Sequence, residues 1–495
     1  MTAWAVADPM LSGPDEPAHV IRAEAIVRGQ LVGAAVNPLH DPGYKPGAAA
    51  DPNTWVLVPG VLHDANSLRY WCYIFFPDTT ASCTPPMHGP AHDVRVETYV
   101  GHYPPLYYAV VGLPSLADPG PPGIIGMRLV SALLNSALLA VALAIALRRC
   151  RLAALGVLVA ATPTVVYYGA SVNPNGLEMS AAICFFTALL TLVLPSARPP
   201  TSAHLLAATA SGCLLALARG LSPVWVAMAV AAALLVGEPE RLRSLARRRA
   251  ARAAAAVLAL ALAAAIGWIV GAHALLELVR PVRQRVGELR LVQAAFAATP
   301  HYLAEMIGIF GANNVPAPPL AVAVVVALFA LLVLGALAVG SARERLVLVA
   351  LLAAIVVVPV AADIVGGRHY GFIWQGRYTL PIGAGSPILA GLVLARRLPD
   401  RVGSMAARID GLVLPASLLL GAAQFACLWW DLRRFMVGAN GPLSGVFQRG
   451  LWQPPLPGPV LLVLALAGAA VVSLSPALAQ RTRLPATSTT AGWSP

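Results

Sequence analysis

Asp15 and Glu16 are the densest reactive pair in the chain, set in the run Pro14-Asp15-Glu16-Pro17-Ala18-His19 with an imidazole three positions beyond the second acid. Adjacent carboxylates can supply a general base, because each charge raises the other's pKa. They can equally ligate a hard divalent cation. The same residues have a plainer use: Asp15 can cap a helix over residues 19–29, with Glu16 favourable to its dipole. From the residues alone both readings stand.

Arg219 and Arg377 are the candidates for holding an anion. A guanidinium at a membrane boundary can grip a phosphate bidentately while its stem stays in the apolar layer. The alternative is snorkelling, or pairing with Glu178 or Asp363. Asn173-Pro174-Asn175 reads as a polar turn between helices. His88 and His92, with Cys83 nearby, have loosely metal-like spacing in a Pro-rich loop. No phosphate-cradling Gly-rich loop, nucleophile elbow or Cys-rich metal motif is present, which argues against a cytosolic nucleotide-hydrolysing engine.

These groups must be positioned by helices in lipid. Of 495 residues 58% are hydrophobic and only 11% charged, against about a quarter charged in a soluble domain. The composition predicts an all-α, polytopic membrane bundle. The net charge of +12 comes almost wholly from Arg, since Lys45 is the sole lysine. This Arg bias accompanies abundant Ala, and no nucleic-acid partner is expected from it. Eleven apolar runs, from 124–147 to 460–475, predict about eleven transmembrane helices in residues 102–476, or about twelve with a first, truncated one. Arg148, Arg149, Arg151, the cluster over 241–252, Arg343, Arg345, Arg396, Arg397, Arg401, Arg481 and Arg483 all fall on one side when helices alternate, which makes that side cytoplasmic. Asp15, Glu16, Arg128, Glu178, Arg219, Asp363, Arg368 and Arg377 then fall near the other side. Charges at membrane depth are costly and therefore mark function, so a polar site is expected at the extracytoplasmic rim.

Residues 1–11 are apolar but span only about half a bilayer, and lack the basic start of a signal peptide. They are expected to be the outer end of a first helix whose beginning is missing, or else an interfacial stub. Residues 12–101 form a long extracytoplasmic loop, expected to carry short helices on the membrane surface. Cys72 and Cys83 both lie in it, so a disulfide between them is plausible in an oxidising compartment. Tyr103, Tyr107 and Tyr108 suit an interfacial aromatic belt. Residues 477–495 read as a disordered cytoplasmic tail.

Several stretches resemble one bacterial polytopic family filed as domain of unknown function 2142: Pro14 to His19, Tyr103-Pro104-Pro105-Leu106-Tyr107-Tyr108, Pro163 through Asn173-Pro174-Asn175-Gly176, Ile309-Phe310-Gly311, and Gln375-Gly376-Arg377-Tyr378-Thr379-Leu380-Pro381. That family is similar in turn to the GT-C class of membrane glycosyltransferases, which transfer a sugar from a polyprenyl-phosphate carrier outside the cytoplasmic membrane. The resemblance implies Asp15, with Glu16, as base or as ligand of a divalent cation. It implies contacts to the lipid-linked sugar donor from Arg377, Arg219, Tyr378, His19 and His102. Two other readings stand beside it. One is a transporter or flippase for a polar or lipid-linked solute, although no paired broken helices are read in the sequence. The other is a non-catalytic factor in envelope assembly.

Overall fold

The structure is a computed structural model that describes residues 1–36, 54–195, 201–274, 287–370, 372, 374–403, 405–447 and 452–481. Its architecture is an all-α membrane bundle. Among the described residues eight helices are long and apolar enough to cross a membrane, and a bent pair, Arg151–Ala160 with Pro163–Gly169, makes a ninth when counted as one span. Ser202–Ala216 and Ser222–Val236 are apolar but shorter. The eleven expected runs map onto these elements, but fifteen-residue helices rise only ~22 Å, short of a ~30 Å hydrocarbon layer.

Pro174–Val193 is the axis of the bundle, buried everywhere except at Leu189. The helices Pro121–Arg149, Ser202–Ala216, Ser222–Val236, Gly376–Gly383 and Gly385–Val402 pack around it. Close approach depends on small residues: a Cβ on Gly156 would meet the Pro387 carbonyl at 2.4 Å, and one on Gly391 the Leu152 carbonyl at 2.6 Å. The two ends of the axis differ chemically. At its C-terminal end Arg149 donates to the carbonyls of Thr191, Leu194 and Pro195. Nearby in sequence to Arg401, Arg396 and Arg397 close on Glu344. At its N-terminal end Asn173 caps the helix, its side chain accepting from the Asn175 amide at 3.0 Å.

The 12–101 loop differs from the expected surface helices. Its helix, Glu16–Val27, is buried at every position but the last. A three-stranded antiparallel sheet, Ala34–Ala35, Thr54–Pro59 and Asp93–Thr98, packs on it. The physical reason is alternation: Thr54, Val56 and Val58 face inward opposite Val96 and Thr98, while Leu57 faces out. Thr98 Oγ1 then donates to the Ala18 carbonyl at 3.0 Å, tying sheet to helix. Cys72 and Cys83 are joined by a disulfide, with Cα atoms 6.1 Å apart. Tyr107 and Tyr108 are fully buried within the protein, because their short helix, Leu106–Val111, packs against Glu16–Val27 and Pro121–Arg149. The Arg368 side chain and the tail from residue 482 lie outside the described residues.

Candidate functional site at the converging helix ends

The expected acid pair is divided by the turn that carries it. Asp15 has φ 61° in the left-handed region, a conformation that costs a non-glycine residue on the order of 1 kcal/mol. It occupies the N-cap position of Glu16–Val27, yet its side chain makes no capping hydrogen bond. The carboxylate turns outward instead. One oxygen accepts from Tyr99 Oη at 2.6 Å, and the other pairs with Arg377. Tyr99 is delivered by the strand Asp93–Thr98, which ends one residue before it.

Glu16 points the opposite way. It is fully buried and takes both Nε (2.8 Å) and Nη2 (2.5 Å) of Arg128, a bidentate pair, together with the amides of Val172 at 3.0 Å and Gly13 at 3.3 Å. Arg128 also donates to the carbonyls of Asp8 and Pro9. Glu16 is therefore a joint between the first segment, the Pro121–Arg149 helix and the turn before the axis helix. The two acids do not converge on a common ion. No cluster of three or more His, Cys, Asp or Glu able to hold a metal occurs among the described residues. The His88, His92 and Cys83 spacing is likewise not a metal site: Cys83 is in the disulfide and His88 Nδ1 lies 2.8 Å from the Pro86 carbonyl.

Arg377 enters at the second residue of Gly376–Gly383. Its Nη1 donates to Tyr168 Oη at 2.7 Å and its Nη2 to Tyr378 Oη at 3.1 Å, besides the bond to Asp15. Tyr168 reaches this point because the span breaks by 65° before Pro163, where a proline cannot continue the preceding helix. Thr162 and Thr164 hydroxyls tie the break to the carbonyls of Met306 and Glu305. The Glu305 carboxylate accepts the Gly376 amide at 2.5 Å, so one residue fixes both the arginine helix and the tyrosine helix.

Arg219 completes the ring. Its Nη1 donates to Asn175 Oδ1 at 2.7 Å and lies 3.3 Å from Glu178, whose other oxygen accepts from Ser222 at 2.6 Å and Trp225 at 3.1 Å. The Tyr378 ring is held between two cations, 4.6 Å from the Arg219 guanidinium and 5.1 Å from that of Arg377. Arg219 also lies 5.6 Å from the Tyr103 ring.

Electrostatics separates the groups by role. Burial works to raise the Asp15 carboxyl, but the Arg377 guanidinium and the Tyr99 hydrogen bond outweigh it and hold it below the ordinary aspartate range. Asp15 is thus an anion at neutral pH, and its side chain is 31% exposed where that of Arg377 is 2%. His19 is pushed down to about 3, by burial first and then by the two arginines, against the pull of Asp15. It is a neutral imidazole whose Nδ1 lies 2.8 Å from Tyr108 Oη.

The structure therefore brings Asp15, Arg377, Tyr378 and Arg219 together, with His19 behind them. His102 lies on a different contact, its Nδ1 2.6 Å from the Ala272 carbonyl. Asp363 accepts from Tyr302 at 2.7 Å and does not pair with Arg219 or Arg377. Tyr99 and Tyr168 were not legible as site residues, since a lone tyrosine carries no spacing signal. A 340 Å³ apolar cavity is lined by Met306, Ile307, Phe329, Ile355, Leu380 and Gly383 among others, two of them on the helix that carries Arg377.

The family model described as "Predicted membrane protein (DUF2142)" matches residues 1–385, and the chain belongs to that family. None of the curated proteins and none of the solved structures compared with it matches.

Proposed function

We propose that this member of the predicted membrane protein family is a glycosyltransferase, which moves a sugar from a polyprenyl-phosphate carrier to a cell-envelope glycan or glycolipid. The observation that carries this reading is the accessible Asp15 carboxylate paired with the buried Arg377, on a helix that also walls an apolar cavity. Leu380, in the cavity wall, lies one helical turn beyond Arg377 on the same helix. A prenyl tail in the cavity would bring its phosphate up to that guanidinium.

The chemistry then follows from a change of partners. The donor phosphate takes the Arg377 donors that Asp15 now occupies, with Arg219 as second cation. Released from its arginine, the Asp15 carboxylate becomes more basic. It takes the proton of the acceptor hydroxyl as that oxygen bonds to the anomeric carbon. The bond from anomeric carbon to phosphate oxygen breaks, its electron pair stays on the phosphate, and the two guanidiniums stabilise the charge. No metal enters this scheme, because Glu16 is committed to Arg128 and leaves Asp15 without a second carboxylate.

The arginine-rich end supports the orientation. Arg149 binds the C-terminal carbonyls of the axis helix, whose N-terminus carries the site. With the arginine-rich end taken as cytoplasmic, Asp15 faces outside in this reading. The test is a deletion strain complemented with wild type or Asp15→Asn, read by lipid and envelope-glycan profiling. The variant should reach the membrane folded and transfer about 10²–10⁴-fold more slowly; a normal glycan profile in that strain would sink the reading. Among the described residues the bent Arg151–Gly169 pair favours a transporter. Purified protein that moves a labelled polyprenyl-sugar across vesicles without consuming it would decide for that alternative.

A further inference from the structure

The loop closed by the Cys72–Cys83 disulfide presents two adjacent phenylalanines to the outside, Phe75 at 76% and Phe76 at 62% exposure. A mobile loop could fold such side chains away. This one cannot, because its backbone is held from several directions. Arg434 donates to the carbonyls of Tyr73, Phe76 and Thr79 at 3.0, 3.0 and 2.7 Å. The Ala439 amide donates to the Pro77 carbonyl at 2.8 Å, and Asn440 bonds both oxygens of Asp78. Asn314 holds the Ile74 carbonyl at 3.2 Å. Tyr73 is buried against Phe435, ring centroids 5.2 Å apart. The loop is a rigid pedestal, and its two outward rings sit in water unless something covers them.

The depth of the loop indicates what covers it. It docks on the last turns of Val413–Val437, a 25-residue helix that at 1.5 Å per residue is ~37 Å long. That exceeds a ~30 Å hydrocarbon core, so its last turns emerge at headgroup level. Trp429 and Trp430 lie one turn before Arg433 and Arg434, with the Arg433 guanidinium 4.3 Å from the Trp430 ring. This order of aromatic and then basic residues marks a bilayer boundary. Two more exposed apolar side chains, Leu443 and Phe447, belong to the turn that follows the same helix.

We infer that the disulfide-closed loop is a membrane-interface anchor, with Phe75 and Phe76 inserted at the headgroup–acyl boundary of the leaflet on the Asp15 side. The occupant of the exposed face is lipid. The anchor is also connected to the candidate site: Asn314 holds Ile74, and the neighbouring Asn313 accepts from Tyr168 Oη at 3.3 Å. It thereby sets the height of Tyr168 and Arg377 relative to the bilayer.

The test places a photoactivatable phenylalanine analogue at position 75 or 76 of the full-length protein in phospholipid vesicles, with the same analogue at Arg69 as control. Arg69 is 71% exposed in the same loop region. Phospholipid adducts at 75 and 76 several-fold above those at 69 are expected. Adduct yields at 75 and 76 no higher than at 69 would overturn the anchor, as would adducts to a second protein chain when the experiment is run in native membranes. The double variant Phe75→Ser/Phe76→Ser should keep its melting temperature in detergent, since neither ring packs on the protein. Loss of that melting temperature would show that the rings are structural and sink the inference as well.

Discussion

Asp15 and Arg377, 362 positions apart, share a salt bridge in which the aspartate is the accessible partner and the arginine the buried one. An arginine buried at a membrane boundary needs a counter-charge, and an exposed aspartate can be exchanged for another anion without leaving a buried group unpaired. The asymmetry makes the pair replaceable from the Asp15 side.

Glu16 and Asp15 should separate cleanly by mutation. Glu16→Ala leaves Arg128 buried with no carboxylate, and breaking such a pair costs about 3–5 kcal/mol. A large fall in melting temperature in detergent, with little protein in the membrane, is expected. Asp15→Asn also leaves the buried Arg377 without its counter-charge, but it keeps an amide oxygen to accept from Arg377 and Tyr99 at a partly exposed position, so its melting temperature should fall by less than that of Glu16→Ala while transfer falls about 10²–10⁴-fold. Equal destabilisation by both substitutions would contradict the division of roles.

Tyr378 should matter through its ring more than its hydroxyl. Tyr378→Phe keeps both cation–π contacts and loses one 3.1 Å hydrogen bond, so binding of a polyprenyl phosphate should weaken only a few-fold. Tyr378→Ala removes both contacts, each worth about 0.5–2 kcal/mol, and should weaken it roughly ten-fold or more. Titration of a fluorescent polyprenyl phosphate against the purified variants measures the difference.

Acid should destabilise the protein through His19. Its pKa is about 3 in the fold and about 6.5 in the unfolded chain. The unfolded state therefore binds the proton first, and the neutral imidazole's contribution is present above pH 6.5 and lost as pH falls toward 3. By pH 5 the loss is on the order of 2 kcal/mol. Asp15, held low by Arg377, loses stability in the same direction but further into acid. Thermal melts of wild type and His19→Asn between pH 7 and 5 should converge as pH drops; parallel curves would exclude His19 as the source.

Narrowing the cavity should act on the lipid part of the donor alone. Gly383→Val fills part of the 340 Å³ space, displacing the flexible Met306 Cε that a Cβ would meet at 2.8 Å. KM for a long-chain polyprenyl donor should rise several-fold, with kcat nearly unchanged and a short-chain donor unaffected. A fall in kcat for both donors would show that the cavity does not seat the tail.

The arginines could be assigned to a site because lipid makes every charge conspicuous. Arg128, Glu178, Arg219 and Arg377 stand out against apolar runs, and alternation of helices is enough to put them at one end. The same reasoning failed for the sheet in the first loop: residues 54–59 and 93–98 alternate plainly, but they are separated by a Pro-rich, aromatic stretch that reads as irregular. It failed for Asp363 as well, whose partner is Tyr302 and not an arginine.

By itself the sequence determined that this protein lives in a membrane as a helical bundle and that the charges outside its arginine-rich loops gather toward the opposite end, because burial in lipid is a property of composition and periodicity. Only the tertiary structure decided which acid does what. Asp15 and Glu16 are chemically near-identical neighbours, and a single left-handed residue sends one carboxylate to Arg377 and the other to Arg128. Tyr99 and Tyr168 became site residues only because a strand end and a broken helix deliver them there, from contacts made across distances that no local pattern encodes.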